Sequence, residues 1–159
     1  MKNFYGNLNN RFEENHYFNG TRNNIKEGTL CTIYMWSDRH AYEVVKVEDQ
    51  SHLFIRPLKA VRTDDNGMCD AQDYKYESDP TRAIKEIKLT KYGWKEVNTF
   101  RLLDKYEDNN QEWMHKYHMR CLLTEKQFER VLAGETIKKI GEKVNISFGV
   151  ADEYYDYSF

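Results

Sequence analysis

The chain has 159 residues, with 24 Lys and Arg against 26 Asp and Glu for a formal charge of -2, 14% aromatic residues and two prolines. The length suits one domain with its own core, and the aromatic content is too high for a wholly disordered chain. Near-balanced charge excludes a general nucleic-acid binder, which needs a basic surface, and a whole-molecule mimic of nucleic acid, which needs a densely negative one.

The three cysteines, Cys31, Cys69 and Cys121, are widely spaced and odd in number, which gives neither a disulfide framework nor a zinc pattern. The polar start MKNFYGNLNNRFEEN lacks the apolar stretch of a signal peptide, and no apolar run reaches membrane-spanning length. A soluble cytoplasmic protein without a membrane partner is expected.

In chain order, residues 1–27 read as an irregular arm or lead-in hairpin, with Asn19-Gly20 as a turn and Tyr17, Phe18 and Ile25 as anchors. The ordered domain is expected over 28–159, with an added section at about 81–140. TLCTIYMW (29–36) and AYEVVKV (41–47) are β-branched and aromatic, separated by SDRH, and predict two paired strands. SHLFIRPLKAVR (51–62) predicts a third run whose Pro57 belongs at an edge or bulge. QDYKYE (72–77) predicts a strand, and IKEIKLT with WKEV a hairpin around Lys91-Tyr92-Gly93.

Residues 101–116 fit either a helix fragment or a solvated connection, and YHMRCLL (117–123) predicts a strand. Thr124 followed by Gln127 makes a capping box for a short helix over about 124–133, with Phe128, Val131 and Leu132 on one face and Gly134 ending it. VNISFGV (144–150) predicts a last strand. In the final ADEYYDYSF, Tyr155, Tyr157 and Phe159 would share one side and Asp152, Tyr154, Asp156 and Ser158 the other, which predicts a closing edge strand. The fold class expected is α+β, mainly antiparallel sheet with one short helix.

No segment compels an enzyme. Ser37, Asp38 and His40 invite a nucleophile reading, but three near neighbours on a turn rarely reach triad geometry, so Ser37 and Asp38 are expected to bond nearby amides and Arg39 and His40 to lie on the surface. Asp64, Asp65, Asn66 and Asp70 suggest a calcium loop, yet Gly67 falls at the wrong place, which favours a plain turn. Residues 62–80 carry two basic and six acidic residues, a local -4 that suits either a solvated loop or a surface facing a basic partner. His115, His118 and Cys121 could offer ligands on a helix, but a strand would split them between faces. No catalytic residue, metal or cofactor is assigned. Trp36, Trp94, Trp113 and the twelve tyrosines fit a protein interface or a sheet core.

Three stretches, MWSDRHAYEVV (35–45), RTDDNGMCDAQDYKYESDP (62–80) and DEYYDYSF (152–159), together resemble a small module of phage and prophage proteins with the same strand-turn-strand opening, NGM turn and tyrosine-rich ending. The whole chain, on length and these stretches, resembles the type II-A anti-CRISPR proteins that inhibit a compact Cas9. The resemblance implies a phage-encoded inhibitor in the host bacterial cytoplasm that binds Cas9 with its guide RNA through protein contacts. The HNH nuclease domain would be engaged away from its active centre and kept from docking on the target strand, with no direct nucleic-acid binding. No motif marks the family's contact residues. Outside the resembling stretches, Asp104, Tyr106, Glu107, Asp108, Glu112 and Trp113 combine acids with aromatics and are the contact candidates. A small phage enzyme acting against host defence, or an accessory protein without inhibitory role, are the alternatives.

Overall fold

The computed structural model of the chain describes the backbone of residues 11–18 and, in full, residues 25–158. Asn19-Gly20 and Phe159, singled out above, lie outside the described residues, as do the side chains of Tyr17 and Phe18. The architecture is α+β, as expected. An eight-stranded sheet runs in the order β1 (Arg11–Phe18), β10 (Ile146–Ala151), β2 (Leu30–Tyr34), β3 (Arg39–Asp49), β4 (His52–Pro57), β7 (Lys85–Thr90), β8 (Gly93–Phe100) and β9 (Ile137–Lys143), and β5 (Lys59–Arg62) and β6 (Tyr74–Glu77) form a second, two-stranded sheet. The chain divides into two compact units, 1–96 with 142–159, and 97–141.

In the first unit, β1 (Arg11–Phe18) pairs antiparallel with β10 (Ile146–Ala151), which pairs on its other side with β2 (Leu30–Tyr34). The β2 strand and β3 (Arg39–Asp49) form the expected pair, in register from Leu30↔Glu43 to Tyr34↔Arg39. Arg39 and His40 therefore belong to the strand rather than to the break before it. The third extended run divides at its proline. β4 (His52–Pro57) ends at that proline, the next amide, of Leu58, still donates to the Ala41 carbonyl at 3.0 Å, and β5 (Lys59–Arg62) pairs with β6 (Tyr74–Glu77). β7 (Lys85–Thr90) and β8 (Gly93–Phe100) make the expected hairpin, closed at Thr90↔Gly93 with Gly93 at φ 103°.

The main core collects Ile25, Cys31, Ile33, Val44, Leu53, Ile55, Ile87, Trp94, Val144, Ile146 and Phe148. These positions alternate along β2 and β4, so one side of each strand supplies the core. The Trp94 and Phe148 rings meet at 5.5 Å in a tilted contact. All six residues of β10 are buried, because it lies between two strands and both of its faces are covered. The last strand is thus interior. The expected closing edge at ADEYYDYSF does not form: beyond Ala151 the chain leaves the ladder and keeps a single bridge, Arg39↔Tyr154.

In the second unit, α1 (Asn109–Leu122) overturns the strand expected over 117–123 and decides the open segment 101–116, whose last residues are helical. The reason is visible at both ends. Asp108 caps the helix by accepting from the Gln111 amide at 2.7 Å, and at the other end Met119 is buried while the cap residue Leu123, just beyond the helix and also buried, donates its amide to the Met119 carbonyl at 2.9 Å. α2 (Glu125–Leu132) starts on Thr124 with both bonds of the capping box in place. Val131 is buried on its inner face, whereas Leu132, expected beside it, is exposed. Gly134 ends the turn at φ 99°. Phe100, Met119, Leu123, Val131 and Ile137 make this unit's core. Thr124→Ala removes the cap and is expected to lower stability by about 1 kcal/mol, read as an earlier denaturation midpoint at unchanged m-value.

Candidate interaction surfaces

The tail after β10 is held by the stretches around 35–45 and 62–80, so the three resembling segments meet in the first unit. Arg39 and Tyr154 exchange both backbone hydrogen bonds, at 3.0 and 2.9 Å. The Arg39 guanidinium lies 4.6 Å over the Tyr154 ring, with Nε 3.2 Å from buried Asp152. Arg39 is thus largely covered, contrary to the surface position expected for it, because the tail lies across it. Glu153 accepts from the Ala41 amide at 2.9 Å, and its own amide donates to the Tyr76 hydroxyl at 2.9 Å.

Gln72, buried at 2% exposure, fixes the next residue. Its Nε2 donates to the Tyr155 carbonyl at 2.7 Å and to the Cys69 carbonyl at 2.9 Å, and its Oε1 accepts from the Tyr155 amide and the Tyr74 hydroxyl. A single amide side chain thereby docks the tail on the loop without leaving a polar group unpaired. Tyr154 donates to Asp70 at 2.5 Å, and that bond, with burial, pushes its phenol up to about 12. Tyr155 and Tyr157 do share a side, with ring centroids 4.7 Å apart in an edge contact.

Ser37, Asp38 and His40 do not assemble into a triad. Asp38 accepts from the Asp156 amide at 2.7 Å, a partner far along the chain rather than the neighbouring amide expected. His40 Nδ1 lies 2.9 Å from Glu153 Oε2. Asp64 is engaged within its own loop by Arg62 and by the amides of Asn66 and Asp73, which hold its carboxyl well below the usual range. That geometry shapes a turn.

The Glu153 hydrogen bond holds the His40 imidazole above its ordinary value of 6.5, with burial and Lys85 opposing and Asp38 assisting. A raised folded value means that the pair stabilises fully below 6.5 and loses its contribution as pH rises through the folded value. Thermal midpoints across pH should show wild type exceeding His40→Gln below 6.5, with the gap closing as pH rises through the raised folded value.

In the second unit, the six contact candidates fall on the start of α1 and the loop before it, with separate roles. Asp108 is spent as the helix cap, and Glu112 pairs with Lys116 at 2.7 Å. The Tyr106 hydroxyl contacts His115 Nδ1 at 2.9 Å and accepts from the Leu103 amide at 3.3 Å. Asp104 and Glu107 lie on the exposed loop, where the Glu107 amide donates to Gln111 Oε1 at 2.6 Å. Trp113 is 60% exposed and stacks on Tyr117 at 5.3 Å and 11°. Met114 is exposed beside them. Tyr117 was missed as a contact candidate because a strand reading gave it no i+4 relation to Trp113.

On α1, His115 faces Tyr106, whereas Cys121 is exposed. No group of three or more His, Cys, Asp or Glu poised to hold a metal occurs among the described residues, and no helix among them is long and apolar enough to cross a membrane. No known protein family matches the chain, and no curated protein or solved structure shows significant similarity to it.

Proposed function

We propose that the chain is an anti-CRISPR inhibitor that binds Cas9 through protein contacts at the HNH domain and blocks target cleavage. The observation that carries this reading is the stacked, solvent-exposed Trp113–Tyr117 pair on a capped helix, with Met114 exposed beside it. Aromatic anchors of this kind supply large contact area at low entropy cost and dominate protein interfaces. The resemblance of the chain to type II-A anti-CRISPR proteins names the partner. Charge supports the mode: an inhibitor that replaces nucleic acid in the PAM-reading or heteroduplex channel needs a strongly negative surface, while a net of -2 suits a wedge against a protein domain. HNH docking is a checkpoint after DNA binding, so such a wedge stops cutting without evicting the target.

The test is to mix the purified chain with several Cas9 orthologues, each with guide RNA, and to follow co-elution and DNA cutting. Inhibition of a compact orthologue at about one inhibitor per nuclease, with co-elution on the HNH domain, is expected. Inhibition at a small fraction of that dose, with turnover and no complex, would replace the reading with an enzymatic one.

A further inference from the structure

The turn between β2 and β3 leaves Trp36 94% exposed and Met35 59% exposed. An indole this exposed at a hairpin tip adds little to folding, and its face is open to stack on a partner's side chain. Trp36 borders a cavity of about 510 Å³ in the first unit, whose wall includes Asp38, Asp70, Asp156 and Arg39. Its charge is one-sided. The arginine lies over Tyr154 with its Nε 3.2 Å from buried Asp152, so its one positive charge is shared with that carboxylate and the wall sets Asp38, Asp70 and Asp156 against it.

Each carboxylate is positioned rather than loose. Asp38 Oδ1 holds the Asp156 amide, Asp70 Oδ1 holds the Tyr154 hydroxyl, and Asp156 Oδ1 holds the amide and hydroxyl of Ser158. The Oδ2 atoms of Asp38 and Asp70 accept no hydrogen bond among the described residues. We propose that this cleft receives an arginine side chain from a basic segment of a protein partner, the guanidinium forking onto the Asp38 and Asp70 carboxylates under the Trp36 indole. Charge complementarity selects this occupant. The planar guanidinium matches carboxylate geometry and stacks on an aromatic face, whereas phosphates of nucleic acid or of an anionic membrane would meet three like charges. The cleft lies in the first unit, and the inference stands whether or not the partner is Cas9.

The test is NMR of the full chain titrated with N-acetyl-arginine amide and with a short peptide alternating arginine and glycine. The Trp36 indole N–H resonance, identified by its loss in Trp36→Ala, is expected to shift with both probes while the buried Trp94 resonance stays. Asp38→Asn with Asp70→Asn keeps the acceptors for the Asp156 amide and the Tyr154 hydroxyl, and is expected to weaken peptide binding by about tenfold. If that pair fails to fold, Trp36→Ala, which removes a solvent-exposed ring, carries the test with the same expected loss. A Trp36 resonance unmoved by either probe, equal peptide affinity in the variants, or a shift produced instead by a thymidine oligonucleotide or phosphatidylglycerol vesicles overturns the proposal. Cas9 cleavage assays play no part in these outcomes, so this inference and the inhibitor reading fail separately.

Discussion

On the proposed inhibitor reading, replacing Trp113 and Tyr117 together by alanine is expected to weaken inhibition of a compact Cas9 by more than about a hundredfold while leaving the fold intact. An interface anchor of this type is worth about 2 kcal/mol or more when truncated, roughly thirtyfold each. The folded chain has little to lose. Trp113 is 60% and Tyr117 57% exposed, and α1 is fastened to its unit through Met119. Alanine is also the best helix former. Dose-response curves for DNA cutting, beside circular dichroism and the thermal midpoint, separate the two effects. Unchanged potency in a folded variant would remove α1 from the interface.

The largest loss of stability is expected from Asp152→Ala. The Asp152 side chain is 4% exposed and the Arg39 side chain 14%, so the substitution leaves a guanidinium under the tail without its counter-charge. Removing one partner of a buried pair costs about 3–5 kcal/mol, because the other charge stays desolvated, and that lowers the midpoint of a chain this size on the order of 10 °C. The backbone amide of Asp152 also donates to Thr32, so the damage should spread to the β2–β10 pair. Arg39→Met in the same background removes the orphaned charge and should recover part of the loss. If Asp152→Ala alone shifts the midpoint by less than a surface substitution does, the tail is not the clamp that these contacts describe.

The legible part of this fold was local. β-branched runs bounded by turn residues predicted β2, β3, β7 and β8, and the Thr124–Gln127 capping box predicted α2, because in each case a few neighbouring residues decide the conformation. YHMRCLL misled because Met119 and the cap residue Leu123 are buried with Phe100, Val131 and Ile137, and a helix that buries Met119 alone carries too weak a period to read before that packing is known. The tail misled for a different reason. Alternation correctly put Tyr155 and Tyr157 on one side, but it does not say whether a strand continues, and the ladder yields here to Gln72, Glu153 and Asp152, whose partners lie tens of residues away or more. Gln72, expected as the first residue of a strand over 72–77, lies before the observed strand Tyr74–Glu77, and strand alternation gives no sign that its amide is buried and fully bonded. Of the contact candidates, Trp113 is placed on an exposed face, whereas Asp108 and Glu112 are occupied within the helix.

The central claim, that a Cas9 nuclease is inhibited through its HNH domain after DNA has bound, is tested most directly by a gel shift and a cleavage assay on the same samples. With increasing inhibitor, cutting should fall to background while the guide-loaded nuclease keeps shifting the target DNA. Loss of target binding in step with loss of cutting would contradict it and place the inhibitor in the path of the DNA.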